Sequence, residues 1–308
     1  MGRGFPSLFR SPVDFPARIR YNESVDSTIC EGRRRTMRIE REEARRIMEK
    51  DPVRWLYVLL DLDDPIRRDG LSVYRTEGGL AVVSDYAEET TVRLYAPDLC
   101  LLEETASDPA VGEGTRFCFC AGLPEQIRDL PRSLSFDPGT GGVLLAREDG
   151  RRTIDRYGLF GTCRELNRAR IPEGFDVRLY FAGNCPDAAG FPDSAPWRAF
   201  VRSLDDREPG DRIWLARNRS NGEAAGYLWT AETERAFDDI VNLFVGPEYR
   251  RRGIARSLLT LYAFDAEARG RGAYYGYALS PESAALARSM GFCPIWGETV
   301  SLFARPRG

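Results

Sequence analysis

The residues best suited to chemistry lie between Asp239 and Ser257. A strand-like run from Asp239 to Val245 ends at Gly246 and Pro247, because proline cannot continue a ladder. A short loop then carries Arg250, Arg251, Arg252 and Gly253 into a run whose Ile254, Leu258, Leu261 and Tyr262 recur at helical spacing. Free backbone N–H groups at a helix N-terminus favour anions, and small residues such as Gly253 and Ala255 let a phosphate approach the backbone. Arg250, Arg251, Arg252 and Arg256 crowd positive charge onto the positive end of that helix. Such crowding is unfavourable unless an anion offsets it, so the segment points to a bound polyphosphate. It is not the phosphate loop of nucleoside triphosphatases, because the GxxxxGK(S/T) spacing and its lysine are absent.

The 308-residue chain contains no histidine. Ser-His-Asp and Cys-His nucleophile systems and His-ligated metal sites are therefore excluded, and no metal is expected. Any proton must move through a carboxylate, a tyrosine, a cysteine, an amine or water. Asp239 is the candidate. Strand alternation predicts that it shares a face with Val241, Leu243 and Val245, while Asp238 points the other way. An apolar setting there would raise its pKa toward a useful range. A solvated carboxylate at a strand start accounts for the residue equally well. The seven cysteines, Cys30, Cys100, Cys118, Cys120, Cys163, Cys185 and Cys293, form no CxxC pair and read as buried free thiols in a reducing compartment. Cys118 and Cys120 alternate with Phe117 and Phe119, which predicts one face of a strand.

The elements that must position these residues can be read on either side. Residues 1–36 carry Pro, Gly and scattered Arg without periodicity and read as a disordered arm, with Met37 an alternative start. Residues 37–160 read as a smaller α+β domain. A helical pattern begins at Glu40, and Asp51-Pro52 predicts a second helix start before Leu56, Leu59 and Leu60. Strands are expected at Leu71–Arg75, Gly79–Ser84, Thr91–Tyr95 and Arg116–Ala121, and a turn-rich break at Asp137–Gly142. The stretch from Arg151 to Cys185 holds the expected boundary. Residues 176–308 read as an α/β domain with a mixed sheet. Its expected elements are a helix at Pro196–Leu204, strands at Ile213–Arg217, Glu223–Thr230, Asp239–Val245 and Tyr274–Leu279, helices at Ile254–Arg269 and Pro281–Met290, and one or two strands in Ile295–Phe303.

Arg250, Gly253 and Ala255 stand at the places of the R/Q-x-x-G-x-G/A signature of GNAT N-acetyltransferases, and the chain from Leu243 to Tyr249 resembles that family's approach strand. A second match follows: Ser280 to Phe292 resembles the family's N-x-x-A-x-x-L-Y-x-x-x-G-F helix, with Ser280 suited to an N-cap, Pro281 to the first turn and Gly291 to the C-terminal stop. The resemblance covers about Asp176 to Gly308, and the helix-then-strands order of residues 37–160 loosely resembles a degenerate second copy.

The resemblance implies a splayed mixed sheet with flanking helices and direct acyl transfer from acetyl-CoA, or another short acyl-CoA, to a primary amine. Strands Asp239–Val245 and Tyr274–Leu279 would part, and the pantetheine would pair with the exposed edge at Leu243, Phe244 and Val245. The Val245 amide would meet the thioester oxygen, residues 250–256 (Arg250, Arg251, Arg252, Gly253, Ile254, Ala255, Arg256) the pyrophosphate, and Ser280 the pantetheine arm. Asp239 falls where several members carry a catalytic glutamate. Ser280 replaces the family's asparagine, and Ala287 the tyrosine that protonates the leaving thiolate; Tyr275, Tyr277 or water would substitute. A non-catalytic acyl-CoA-binding regulatory module is the alternative. The acceptor is expected to be a small-molecule or peptide amine. With a net charge of −3 and no long apolar run, neither nucleic acid nor membrane is an expected partner and the cytoplasm is the expected location. A nucleic-acid role would rest only on residues 1–36, a basic arm ending in Arg33, Arg34 and Arg35.

Overall fold

The computed structural model describes residues 36–86, 89–95, 99–120, 133–135, 144–146, 156–163, 165–181, 184, 186, 189–297 and 299–305. The arginine triplet, the break at 137–142, Cys30 and Cys185 lie outside them. Residues Arg35–Gly308 form one compact unit.

Two sheets organise it. The first runs β1 (Met37–Ile39), β2 (Leu71–Arg75), β3 (Leu80–Tyr86), β4 (Glu89–Tyr95), β5 (Arg116–Phe119), then β15 (Val300–Arg305), β7 (Leu144–Ala146) and β6 (Ser133–Ser135). The second runs β14 (Phe292–Trp296), β8 (Leu159–Cys163), β13 (Gly272–Tyr277), β12 (Phe237–Val245), β11 (Ala224–Glu232), β10 (Arg212–Asn218) and β9 (Phe175–Phe181). Helices α1 (Arg41–Met48), α2 (Leu56–Asp63), α3 (Pro65–Asp69) and α4 (Leu99–Ala106) accompany the first. Helices α5 (Ala195–Ser203), α6 (Ile254–Ala268) and α7 (Pro281–Met290) accompany the second.

The two sheets repeat one plan. Four antiparallel strands lead to a parallel pair, β4 with β5 and β12 with β13, each joined through a helix. The strand beyond each pair runs antiparallel and comes from the other half: β15 pairs with β5, and β8 with β13. The sequence division at 160 and 176 therefore does not coincide with the sheets. Residues 159–163 complete the second sheet and residues 300–305 the first.

Local chemistry explains the elements near the site. Ser280 caps α7, its Oγ accepting the Ser283 amide at 3.1 Å, and Gly291 ends it at φ 92°. Helix α6 closes with the Arg271 amide on the Ala266 carbonyl and the Gly270 amide on that of Glu267, both at 2.9 Å, a Schellman arrangement. Helix α2 begins at Leu56; Asp51 and Pro52 open the turn before it, where the Asp51 side chain accepts the Arg54 amide as an N-cap would. Cys118 and Cys120 share one packed face of β5, and Phe117 and Phe119 the other. A further apolar cluster, including Leu56, Tyr57, Leu159, Tyr274 and Ile295, joins α2 to the second sheet.

Candidate active site

Strands β12 and β13 pair for three residues only, Phe237 with Gly272, Asp238 with Ala273 and Asp239 with Tyr274. Beyond that point they part. Three local features mark the apex. Tyr262 on α6 sets its hydroxyl between the strands, accepting the Tyr274 amide at 2.8 Å and donating to the Asp238 carbonyl. On β12, the register against β11 shifts so that Ile240 faces Thr230 and Asn242 faces Trp229, which leaves Val241 as the extra residue of a bulge, 54 % exposed. On β13, Gly276 takes φ 70°.

The bulge corrects the expected face of Asp239. One inserted residue reverses the alternation, so Ile240, Leu243 and Val245 pack on the α6 side, while Asp239 shares its face with Asn242 and Phe244. Gly276 does the same on β13: Tyr275 turns to α7, its hydroxyl 2.9 Å from Ser283 Oγ, while Tyr277 turns to the cluster beneath α2.

The adjacent aspartates have separate fates. Asp238 is buried and held by Arg269 and by Arg271, whose Nε lies 2.5 Å away. Asp239 has no cation within salt-bridge reach among the described pairs. Its Oδ2 accepts the Tyr57 hydroxyl at 2.7 Å and its Oδ1 the Ile240 amide at 2.9 Å. Desolvation pushes its pKa up to about 7, against those two bonds, which favour the carboxylate.

At the far end of β12 the Gly246 amide donates to the Ala225 carbonyl at 2.9 Å. By strand alternation the Val245 amide points to the opposite edge, where β13 has already diverged. The loop then turns through Pro247–Tyr249, and Arg251 and Gly253 both adopt left-handed backbone, φ 63° and 85°. A non-glycine residue there is uncommon and marks a shape the loop is made to hold. Arg250, Arg251, Arg252 and Arg256 are exposed, and no side chain caps α6. Ile254 is buried in the core, so only its amide faces outward, with that of Ala255 beside it. The exposed Glu282 on α7 has its carboxyl held below the usual range, first by its own backbone amide and Ser280, then by Arg251 and Arg250, which puts the start of α7 near the arginine loop. Ser280 thus spends its acceptor on the helix cap. Ala287 is fully buried between α7 and its neighbours, far from any role as a proton donor.

A pocket of about 430 Å³ opens beside the loop, lined by Trp197, Glu223, Phe244 and Glu248 among others. It lies at the loop end of β12, six residues beyond Asp239, and so it is not where an amine would meet that carboxylate. Among the described residues no cluster is arranged to hold a metal ion, and no helix is long and apolar enough to cross a membrane.

The residue that sequence reasoning missed is Tyr57. It sits in an ordinary apolar helix 182 positions from Asp239, and no local pattern sets it apart.

Residues 209–294 match the family model described as an acetyltransferase (GNAT) domain. Three solved structures are similar over most of the chain. A GCN5-related N-acetyltransferase from Sphaerobacter thermophilus shares 16 % identity, with 89 % of this chain and 96 % of that one covered and a TM-score of 0.50. A tandem GNAT protein from the clavulanic acid biosynthesis pathway shares 15 %, with 89 % and 98 % covered and a TM-score of 0.41. A GCN5-related N-acetyltransferase from Kribbella flavida shares 13 %, with 86 % and 96 % covered and a TM-score of 0.43. At such identities the likeness to the Sphaerobacter protein is one of fold alone. No curated protein matches the chain.

Proposed function

We propose that this protein, whose residues 209–294 match the model of an acetyltransferase (GNAT) domain, a family that transfers acyl groups from acyl-CoA, acetylates a primary amine by direct attack on acetyl-CoA. One observation carries the reading: the opening between β12 and β13 begins at Asp239 and leads along one strand to the arginine loop. Six residues at about 3.3 Å each separate the carboxylate from Val245 by about 20 Å, so an arm running from the loop along the strand brings the thioester oxygen to the Asp239 end, and the Val245 amide expected to meet that oxygen borders the arm instead.

In this reading the pyrophosphate sits on the amides of Gly253, Ile254 and Ala255, with Arg250, Arg251, Arg252 and Arg256 offsetting its charge. The pantetheine extends along the free edge of β12 at Leu243, Phe244 and Val245. Asp239, directly or through one water, takes a proton from the bound ammonium group. The neutral nitrogen then attacks the thioester carbon, the C–S bond breaks, the nitrogen gives its second proton to a water, and the thiolate leaves. Water protonates it, because Ala287 offers no hydroxyl and Tyr275 is bonded to Ser283. A carboxyl with a pKa near the working pH is suited to this task.

The first sheet supports one cofactor per chain. Strands β4 and β5 stay paired from Thr91–Arg116 to Leu94–Phe119, and the Cys120 amide extends the ladder to the Leu94 carbonyl at 2.9 Å. Three residues separate β4 from α4, too few for an arginine loop. A cytoplasmic location belongs to the same reading, since Cys118 and Cys120 are free thiols.

The test is release of free CoA from acetyl-CoA across a panel of small amines and peptides, for wild type and Asp239→Asn. Turnover on some acceptor is expected. The variant should lose about 10²–10⁴ in rate near pH 7, with the deficit shrinking as pH rises. Ala287 favours one rival, a module that binds acyl-CoA without catalysis. Tight CoA binding with no thioester turnover on any acceptor would favour that rival.

A further inference from the structure

The N-terminal half reaches into the site through α2. Besides its bond to Asp239, the Tyr57 ring stacks on Tyr277, with centroids 5.4 Å apart and planes at 11°. It stands edge-on to Tyr274 at 5.9 Å. Gly276 makes room for the contact: a Cβ there would lie 2.5 Å from the Tyr57 hydroxyl and 2.8 Å from Asp239 Oδ1. The backbone of β13 thus passes close enough to leave space for this pair only when residue 276 has no side chain.

Docking of α2 does not need that hydroxyl. Asp63 at its end binds Arg45 and also Arg235 in the turn between β11 and β12. The Tyr274 hydroxyl donates to the Val53 carbonyl at 3.0 Å, and Trp55 packs on Trp296 at 5.7 Å. A phenylalanine at 57 would fill the same space and keep the same stacking. What it would lose is the one side-chain hydrogen bond that Asp239 receives among the described residues.

We propose that Tyr57 is a positioning residue, supplied by the N-terminal half, that holds the Asp239 carboxylate in the orientation from which it accepts the amine's proton. This rests on Asp239 being the base. The titratable groups that face this carboxylate are Tyr57 on α2, Tyr262 on α6 and Tyr274 on β13, with Tyr277 behind Tyr57 and Asp238 next along the chain. Burial drives Asp239 upward and the Tyr57 bond opposes it. Loss of the hydroxyl leaves a carboxyl that ionises later and turns more freely. The N-terminal half, whose own strand pair is closed, thereby completes a site whose arginine loop lies entirely in the other half.

The experiment is a pH titration of the full-length protein, ¹³C-labelled at aspartate carboxyls and saturated with CoA, by NMR. Asp239→Asn assigns the signal, and Tyr57→Phe tests the proposal. Wild type should titrate near pH 7, and Tyr57→Phe about one pH unit higher, a charge-assisted hydrogen bond being of that size. CoA affinity should stay within twofold. With an accepting amine, turnover of Tyr57→Phe at pH 7 should fall about fivefold and recover by pH 9, since one unit takes the ionised fraction from about a half to about a tenth. An unmoved midpoint in Tyr57→Phe, with Asp239→Asn slow, would overturn the role of Tyr57 and leave Asp239 as the base. An Asp239→Asn variant that turns over like wild type would overturn the base itself, and the proposal with it.

Discussion

Asp239 should make the fold less stable as the solution becomes more alkaline, and Asp239→Asn should remove that dependence. A free aspartate ionises near 3.8, whereas this one, desolvated beneath α2, ionises near 7. Between those values the unfolded chain has lost the proton and the folded chain has kept it. The folded state then binds more protons, so stability falls with rising pH by about 1.4 kcal/mol per unit and levels off above the folded pKa. From pH 5 to pH 8 the loss spans two units, about 2.7 kcal/mol. Asparagine has the shape of the protonated acid and no charge to lose, so its stability lacks this term. The assay is urea unfolding of wild type and Asp239→Asn at pH 5 and pH 8. The variant should gain about 2.7 kcal/mol on wild type between the two, with unchanged m-values. A difference that is the same at both pH values would refute the reasoning and return Asp239 to the class of solvated strand-start carboxylates.

Three further outcomes are expected. Asp238→Ala should cost about 1.5–3 kcal/mol in the same unfolding assay, because it removes charge-assisted bonds to Arg269 and Arg271 while Arg269 keeps Glu232 and Asp265; a loss below 1 kcal/mol would contradict the division of roles between the two aspartates. Ala287→Tyr should not restore a proton donor but should destabilise by about 1–3 kcal/mol, since residue 287 is fully enclosed; a stable variant with faster turnover would show that the helix can open there. Acetyl-CoA at about 100 times its Kd should raise stability by about 2.7 kcal/mol in a thermal-shift assay, and the absence of a shift with acetyl-CoA, CoA or longer acyl-CoAs would count against the loop.

Much of the second sheet and its loop was legible in the sequence, because the signals are local. Pro247 ends a strand, Gly253 and Ala255 open a helix among arginines, and Ser280, Pro281 and Gly291 bracket α7 as their chemistry requires. The strand faces were not legible. The bulge at Val241 reverses the alternation of β12 and moves Asp239 to the face of Phe244, and the positive φ of Gly276 separates Tyr275 from Tyr277. Neither leaves a mark in composition. The exchange of β8 and β15 was hidden for another reason: short apolar runs such as Leu159–Cys163 carry no information about which sheet they join. Tyr57 was hidden most completely, since its meaning comes from a contact with Asp239 across 182 positions.

The opening between β12 and β13 is expected to hold acyl-CoA on the amides and arginines of the loop after Val245. Titration calorimetry of acetyl-CoA into wild type and Gly253→Glu tests it most directly. Gly253 sits at φ 85° against Pro172, so glutamate there meets strain, and its charge meets the pyrophosphate; circular dichroism establishes that the variant is folded. One site per chain is expected in wild type and no measurable heat in the folded variant. Equal affinity in the two proteins, or no binding to wild type at millimolar acetyl-CoA, would contradict it.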